Sequence, residues 1–117
     1  HFVSPVFEKL CRDWIRRRAA AGQLDLRSPK VGRWWDGHNE IDAVAYDEKT
    51  LLLGECKWSR HPVGPSVLRT LESRTVPGLE AKRRRHILFS RSGFQNLEAS
   101  DDLLLVDLNA LVEDRMP

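Results

Sequence analysis

The sequence has few cysteines and no long apolar run, and both shortages exclude classes of protein. Of its 117 residues only Cys11 and Cys56 are cysteines, too few for a disulfide framework or a zinc knuckle. We therefore expect a reduced, cytoplasmic setting for this chain. No stretch approaches the ~18 consecutive apolar residues of a membrane span, and no secretory signal pattern is present. The sequence accordingly predicts no membrane partner.

Neither sign of charge is in large excess, but the kind of basic residue is informative. The 19 Lys and Arg residues stand against 17 Asp and Glu, a net charge of +2, whereas strong DNA binders are usually more basic. Fourteen of the 19 are Arg, whose planar guanidinium suits phosphate oxygens. Basic residues cluster at 16–18 and 82–85. Nucleic acid is therefore a candidate partner, and a solvated surface is the alternative.

Length and hydrophobic content together predict one folded domain. The chain holds 32 Leu, Ile, Val and Phe residues, enough for one compact core and too many for a disordered chain. Residues 1–117 are thus expected to form a single domain. Because the chain starts at His1 rather than at Met, we expect it to be a piece of a longer protein.

Hydrophobic periodicity and turn residues predict an α/β fold. Apolar residues recur every three or four positions from Val3 to Ile15, so a helix is expected from Ser4 to about Gly22. Three strands with short turns follow, then a crossover helix, two more strands and a short helix. Their predicted ranges are 31–35, 40–46, 51–58, 66–76, 86–90, 103–106 and 108–112. A hairpin sheet followed by a βαβ crossover predicts a mixed central sheet flanked by helices.

The hairpin of the second and third predicted strands carries the sharpest functional signal. A regular register with a short turn places Val44 opposite Leu53 at the turn end, while Asp42 faces Glu55 at the open end. Glu40 faces Lys57 in the same register. Two opposed carboxylates repel each other, so their presence beside a buried strand favours a neutralising cation.

A divalent cation and a lysine could share that neutralising role. Lys57 supplies one positive charge, and Mg²⁺ or Mn²⁺ suits a site made of oxygen ligands. The Cys56 side chain is predicted to point to the opposite face of the strand, into the core. A salt-bridge cluster on an exposed sheet face is the alternative interpretation.

Five blocks of the sequence resemble the DUF234 family, the C-terminal domain of archaeal and bacterial AAA-type ATPases, within the PD-(D/E)xK nuclease superfamily. The blocks span residues 7–11, 32–35, 40–45, 54–58 and 90–94. The resemblance implies a restriction-endonuclease-like fold with an αβββαβ core. It also implies an upstream ATPase domain in the same chain. No phosphate-binding GxxxxGK[ST] motif occurs in these residues, so we expect this piece not to bind ATP.

The resemblance also implies roles for individual residues. Asp42 and Glu55 would ligate Mg²⁺, with the Cys56 backbone carbonyl as a further ligand. Lys57 would orient or deprotonate the attacking water and stabilise the charge that develops on the phosphate. Glu8, on the first helix, would assist the metal. The sequence departs from the strict pattern in having Ile41 where the family signature has Pro.

These expectations lead to a Mg²⁺-dependent DNA endonuclease, with Asp42, Glu55 and Lys57 as catalytic residues. The alternative is a catalytically weak or inactive nuclease-fold module for DNA binding or protein assembly, including homodimer formation. We expect the cluster Arg83, Arg84 and Arg85, or the cluster at 16–18, to flank the cleft and contact the DNA backbone.

The tryptophans permit two interpretations. Trp34, Trp35 and Trp58 are predicted to lie in the core. A stacking surface for nucleic-acid bases is the alternative.

Overall fold

The computed structural model describes residues 4–113, which form a five-stranded sheet with helices on both faces. The helices are α1 (Pro5–Ala20), α2 (Pro65–Glu72) and α3 (Leu108–Glu113), and the strands are β1 (Lys30–Trp35), β2 (Glu40–Tyr46), β3 (Thr50–Lys57), β4 (Arg83–Ser90) and β5 (Leu103–Asp107). The predicted α/β class and mixed sheet are confirmed. Within the described residues no helix is both long and apolar enough to cross a bilayer.

Helix α1 starts where its capping residues require. The Ser4 hydroxyl accepts a hydrogen bond from the Phe7 N–H at 3.2 Å, and Pro5 occupies the first turn, where it costs no hydrogen bond. After the helix, Gly22 has φ +74°, a conformation that glycine adopts without strain. Val3, predicted as the first apolar position, lies outside the described residues.

The strand order follows the chain order. β1 pairs antiparallel with β2, and β2 with β3, which makes the predicted meander. Helix α2 then carries the chain over the sheet, so β4 lies parallel to β3, and β5 lies parallel to β4. The carboxyl ends of β3, β4 and β5 therefore lie at the same edge of the sheet.

Two apolar clusters hold the helices against the sheet. Helices α1 and α3 cover one face, where Ile15 packs with Leu52 and Phe89. Helix α2 covers the other face, where Leu71 packs with Leu53. Each strand of the hairpin thus has a side facing α1 and a side facing α2, and the predicted functional residues lie on the α2 side.

The strand boundaries differ from prediction mainly in β4. This strand begins at Arg83 rather than His86, so the basic run that was predicted to lead into it forms its first half. The crossover helix is also shorter than predicted and ends at Glu72.

Candidate functional site

The β2–β3 hairpin has the predicted register along most of its length. Val44 pairs with Leu53 and Tyr46 with Leu51. At the turn, the Asp47 carboxylate accepts hydrogen bonds from the backbone N–H groups of Lys49 and Thr50, at 2.9 and 2.8 Å. An acidic residue that satisfies two turn N–H groups fixes the turn and hence the register.

The register fails at the open end of the hairpin, where β2 contains a bulge. Gly32 of β1 pairs with Val44 but Trp34 pairs with Ile41, so two residues of β2, Asp42 and Ala43, lie opposite Arg33. The regular pairing of β2 with β3 ends at Ala43. The predicted backbone pairs of Asp42 with Glu55 and of Glu40 with Lys57 are therefore wrong.

The Asp42 carboxylate fills the position that the bulge leaves open. Its Oδ2 atom accepts a hydrogen bond from the Cys56 N–H at 2.9 Å, in a buried setting. A side chain thus replaces the backbone acceptor that a regular strand would provide. This bond fixes Asp42 beside β3, so the two predicted carboxylates meet although their backbones do not pair.

Asp42 and Glu55 form a close acidic pair. Their carboxyl groups lie in hydrogen-bonding contact, and burial together with the charge of Asp42 raises the pKa of Glu55 to about 8. The Lys57 ammonium lies 3.5 Å from Glu55 Oε1 and opposes this shift without cancelling it. Like charges this close disfavour double ionisation, so one carboxyl of the pair holds its proton more tightly.

These side chains line an open cleft of about 250 Å³ between the end of the hairpin and α2. Its lining residues are Glu40, Asp42, Glu55, Lys57, Ser66, Val67, Thr70 and Arg74. The predicted register places Glu40 on this side of the sheet but assigns it no role. Arg74, which follows α2, is not predicted as a site residue, because only the crossover brings it to the hairpin.

A glycine before Glu55 allows close packing of the central strands. A Cβ atom at Gly54 would lie 3.0 Å from Ile87 Cγ2 and 3.1 Å from the Ala43 Cβ. Both distances are shorter than ordinary side-chain contacts, so a larger residue would push β3 away from its neighbours. Gly54 therefore helps to hold Glu55 close to Asp42.

Cys56 separates the two functional side chains of β3 and faces the core, as predicted. Its buried thiol lies in hydrogen-bonding contact with the Cys11 thiol, which, with burial, raises the Cys56 pKa well above its ordinary value. A thiol held protonated is a poor nucleophile. The Cys56 carbonyl points to the same side as its N–H, toward Asp42, because both groups of a strand residue share one direction.

Glu8 lies near the acidic pair but is not among the residues that line the cleft. It is buried on α1, with its Oε1 atom 4.0 Å from the Arg12 guanidinium. Burial and the charge of Asp42 raise its pKa. Arg12 also donates to the Asp42 carbonyl at 3.0 Å. The prediction that Glu8 assists a metal stays a prediction, since its carboxyl is close enough to Asp42 for the two charges to interact but does not line the cleft.

The predicted DNA-contacting cluster lies at the other end of the strands. Arg83 pairs with Thr50 at the start of the parallel ladder, whereas Lys57 pairs with Ser90 at its end. The Arg84 guanidinium donates to the backbone carbonyls of residues 71, 72 and 74 at the end of α2. Buried Arg85 donates to the carbonyls of residues 24 and 101. The prediction that this cluster flanks the cleft is wrong, because the cluster lies at the start of the ladder and Lys57 and the cleft lie at its end.

The second basic cluster, at 16–18, does not reach the cleft either. Arg16 forms an ion pair with Asp13 and donates to the Val31 carbonyl. Among the lining residues that the structure describes, the cations are Lys57 and Arg74. Arg74 donates to the Asn39 side chain, which holds the guanidinium at the cleft.

The donor set of the cleft suits a hard cation better than a transition metal. Residues 4–113 contain no group of three or more His, Cys, Asp and Glu side chains arranged to hold a metal ion. Two adjacent carboxylates and a carbonyl are nevertheless oxygen donors of the kind that Mg²⁺ uses, since this ion often takes one or two carboxylates and completes its shell with water and phosphate.

Comparisons with known proteins give a family but no activity. The family model of DUF234, described as archaea bacterial proteins of unknown function, matches residues 1–76, which include all the cleft residues. The uncharacterized protein MJECL04 of Methanocaldococcus jannaschii is 32% identical over 59 residues, which cover 49% of this chain and 13% of that protein. No solved structure matches the chain.

Proposed function

The chain belongs to DUF234, a family of unknown function, and on that premise we propose from its own cleft that it is a divalent-cation-dependent DNA endonuclease of the PD-(D/E)xK type. The proposed metal ligands are Asp42, Glu55 and the Cys56 carbonyl. Lys57 is the proposed catalytic cation. The proposal includes a reduced, cytoplasmic setting.

The acidic pair is the observation that carries this proposal. Asp42 is held beside Glu55 by the hydrogen bond that it accepts from the Cys56 N–H. Glu55 in turn has its pKa raised to about 8 by burial and by Asp42. A protein that served only as a scaffold would gain stability by replacing either acid, because like charges at short range cost free energy. A bound cation removes that cost and explains why both acids are present.

The residues of the cleft divide the work of phosphodiester hydrolysis. Bound Mg²⁺ would supply Lewis-acid activation of the phosphate. The Lys57 ammonium, on the same strand as Glu55, would donate a hydrogen bond to a non-bridging phosphate oxygen and stabilise its developing charge. Arg74, across the cleft, would hold a neighbouring phosphate.

DNA cleavage by matched variants tests the proposal. Linear, nicked, branched and single-stranded DNA are incubated with Mg²⁺ or Mn²⁺ and wild-type protein, Lys57→Ala or the control Lys49→Ala, which removes an exposed turn lysine. We expect cleavage by wild type and the control, and a loss of roughly 10²- to 10⁴-fold with Lys57→Ala. Equal cleavage by the two variants, or none by wild type, would contradict the proposal.

A module that binds without cleaving is the second candidate, favoured by the placement of the arginine clusters. Arg84 and Arg85 satisfy carbonyls rather than line the cleft, so the cleft has fewer cations for DNA than the sequence indicated. This candidate predicts that wild type binds DNA or assembles into a dimer but leaves every substrate intact. The cleavage assay combined with a binding assay separates the two.

An ATPase context is a further part of the proposal. The matched region covers 13% of the relative from M. jannaschii, so that protein contains much additional chain. We propose that the present domain is the C-terminal effector of a longer ATPase and that its cleavage is coupled to the upstream domain.

A further inference from the structure

A second groove, of about 350 Å³, lies beside the cleft on the β1–β2 part of the sheet. Strand residues form its floor, and the segment after α2, with Val76, Pro77 and Leu79, forms its far wall. Neither the family nor the acidic pair indicates which ligand this groove binds. The shape of the groove and the chemistry of its lining residues indicate the ligand.

The floor of the groove is open because of one glycine. Gly32 pairs with Val44, and a Cβ atom built on Gly32 meets no other atom within 4 Å. Trp34 and Tyr46 line the groove on either side of this pair. The result is a slot with an apolar floor between two aromatic side chains, a shape suited to a planar ring.

Trp34 also contains a buried hydrogen-bond donor without a partner among the described residues. Its indole N–H is buried and has no acceptor within the part of the chain that the structure describes. Buried donors normally have a partner, because an unpaired one costs free energy. The donor is closed to solvent in this structure, so an acceptor on a ligand ring reaches it only if the Trp34 ring turns toward the groove.

Lys30 and Arg33 are the basic residues that line the groove, and Lys82 lies nearby, where it donates to the Glu48 carbonyl. Lys30 is exposed at the start of β1 and lines the groove. The Lys82 ammonium lies 5.9 Å from the centre of the Tyr46 ring. A planar ring with acceptor atoms, linked to anionic groups, matches both the aromatic walls and the lysines. A nucleotide within a nucleic-acid strand has this combination.

The groove and the cleft are neighbours on the same side of the sheet. Trp34 pairs with Ile41, the residue before Asp42. The segment after α2 also connects them, since Arg74 lines the cleft and Val76 lines the groove. A strand whose phosphate lay in the cleft could therefore place an adjacent base in the groove.

We propose that this groove binds an unpaired base of DNA next to the phosphate held in the cleft. Its relation to a scissile phosphate rests on the proposed function, but base binding itself requires no cleavage. A paired base is stacked within its duplex and cannot enter a slot of this kind. The domain therefore prefers single-stranded or splayed DNA to a continuous duplex.

Fluorescence anisotropy with labelled oligothymidylate in EDTA tests base binding without metal. Gly32→Ile fills the slot with a side chain suited to a strand. We expect it to weaken binding roughly tenfold, the lower part of the range for one stacked base. Val112→Ala is the matched control, because Val112 is 51% exposed on α3, which covers the other face of the sheet, and this variant should leave the affinity unchanged. Lys30→Ala, which keeps the floor intact, should flatten the salt dependence.

The outcomes separate this inference from the proposed function. Unchanged affinity in Gly32→Ile and Lys30→Ala, or stronger binding to duplex than to oligothymidylate, would overturn the inference, even if wild type cleaves DNA. Binding that depends on Gly32 in a protein that never cleaves would support the inference and refute the endonuclease. Absence of oligothymidylate binding by wild type would overturn the inference and favour a protein segment as the occupant.

Discussion

The two ends of the β3–β4 ladder carry charges of opposite sign and use them differently. At the start of β4, Arg84 and Arg85 donate to backbone carbonyls and join the strand to α2 and to the loop before β1. At the end of β3, Asp42 and Glu55 lie together with one lysine nearby, and the Glu55 pKa is raised to about 8. At the start of β4 the arginines are paired with groups of the fold. At the end of β3 the acidic pair is neutralised only in part, by Lys57.

This difference shows how a functional charge can be distinguished from a structural one. A run of arginines is prominent in the sequence, but its partners in the structure are backbone carbonyls of the same chain and, for Arg83, the Asp102 carboxylate. The acidic pair is inconspicuous in the sequence, and its electrostatic cost is compensated only in part by Lys57. The uncompensated charge is the better indicator of a ligand.

The largest predicted effect concerns the pH dependence of stability at the acidic end. The folded pKa of Glu55 is about 8, above its value in the unfolded chain, so the folded state holds this proton more tightly. Without metal, stability should fall as pH rises from about 5 to about 8, by at most about 1.4 kcal/mol per pH unit. Glu55→Gln should remove this loss, as measured by urea unfolding at several pH values. Parallel pH profiles for the two proteins would contradict the electrostatic account.

The next effect concerns the basic end. Arg85→Ala removes the donors to the Leu24 and Asp101 carbonyls in a buried place. We expect a loss of about 2–4 kcal/mol in the free energy of unfolding. The same variant, measured below its melting temperature, should bind oligothymidylate like wild type. Reduced DNA affinity in a folded variant would show that this cluster contacts DNA after all.

The smallest effect concerns Arg83, the exposed member of the cluster. Its guanidinium lies 2.9 Å from the Asp102 carboxylate, with both side chains at least half exposed. Exposed pairs of this kind contribute roughly 0–1 kcal/mol. Arg83→Ala should therefore change the urea midpoint little, and it serves as the control for Arg85→Ala. A loss as large as that of Arg85→Ala would remove the distinction between the two arginines.

Most of the fold could be predicted from local patterns. Alternating apolar residues and the Asp47 turn determine the hairpin register as far as Ala43, and the cap at Ser4 determines the start of α1. The bulge at Asp42 could not be predicted in this way, because it depends on the pairing of β1 with β2.

The site was predicted in part. Asp42, Glu55 and Lys57 meet in the cleft because they lie on the α2 side of one hairpin. Arg74 could not be anticipated, since its position depends on the crossover. The arginines of β4 were wrongly predicted to flank the cleft. Their hydrogen-bond acceptors lie at distant positions in the sequence, and a cluster of basic residues does not indicate such acceptors.

A titration of the Glu55 carboxyl carbon by NMR, with and without Mg²⁺, shows most directly whether Asp42 and Glu55 share a bound cation. We expect a Glu55 pKa of about 8 without metal and a pKa lower by at least about one unit in millimolar Mg²⁺, because a bound cation favours the ionised form. Asp42→Asn should lower the metal-free value and abolish the response to Mg²⁺. A metal-free pKa near 4–5 that Mg²⁺ does not change would contradict the account.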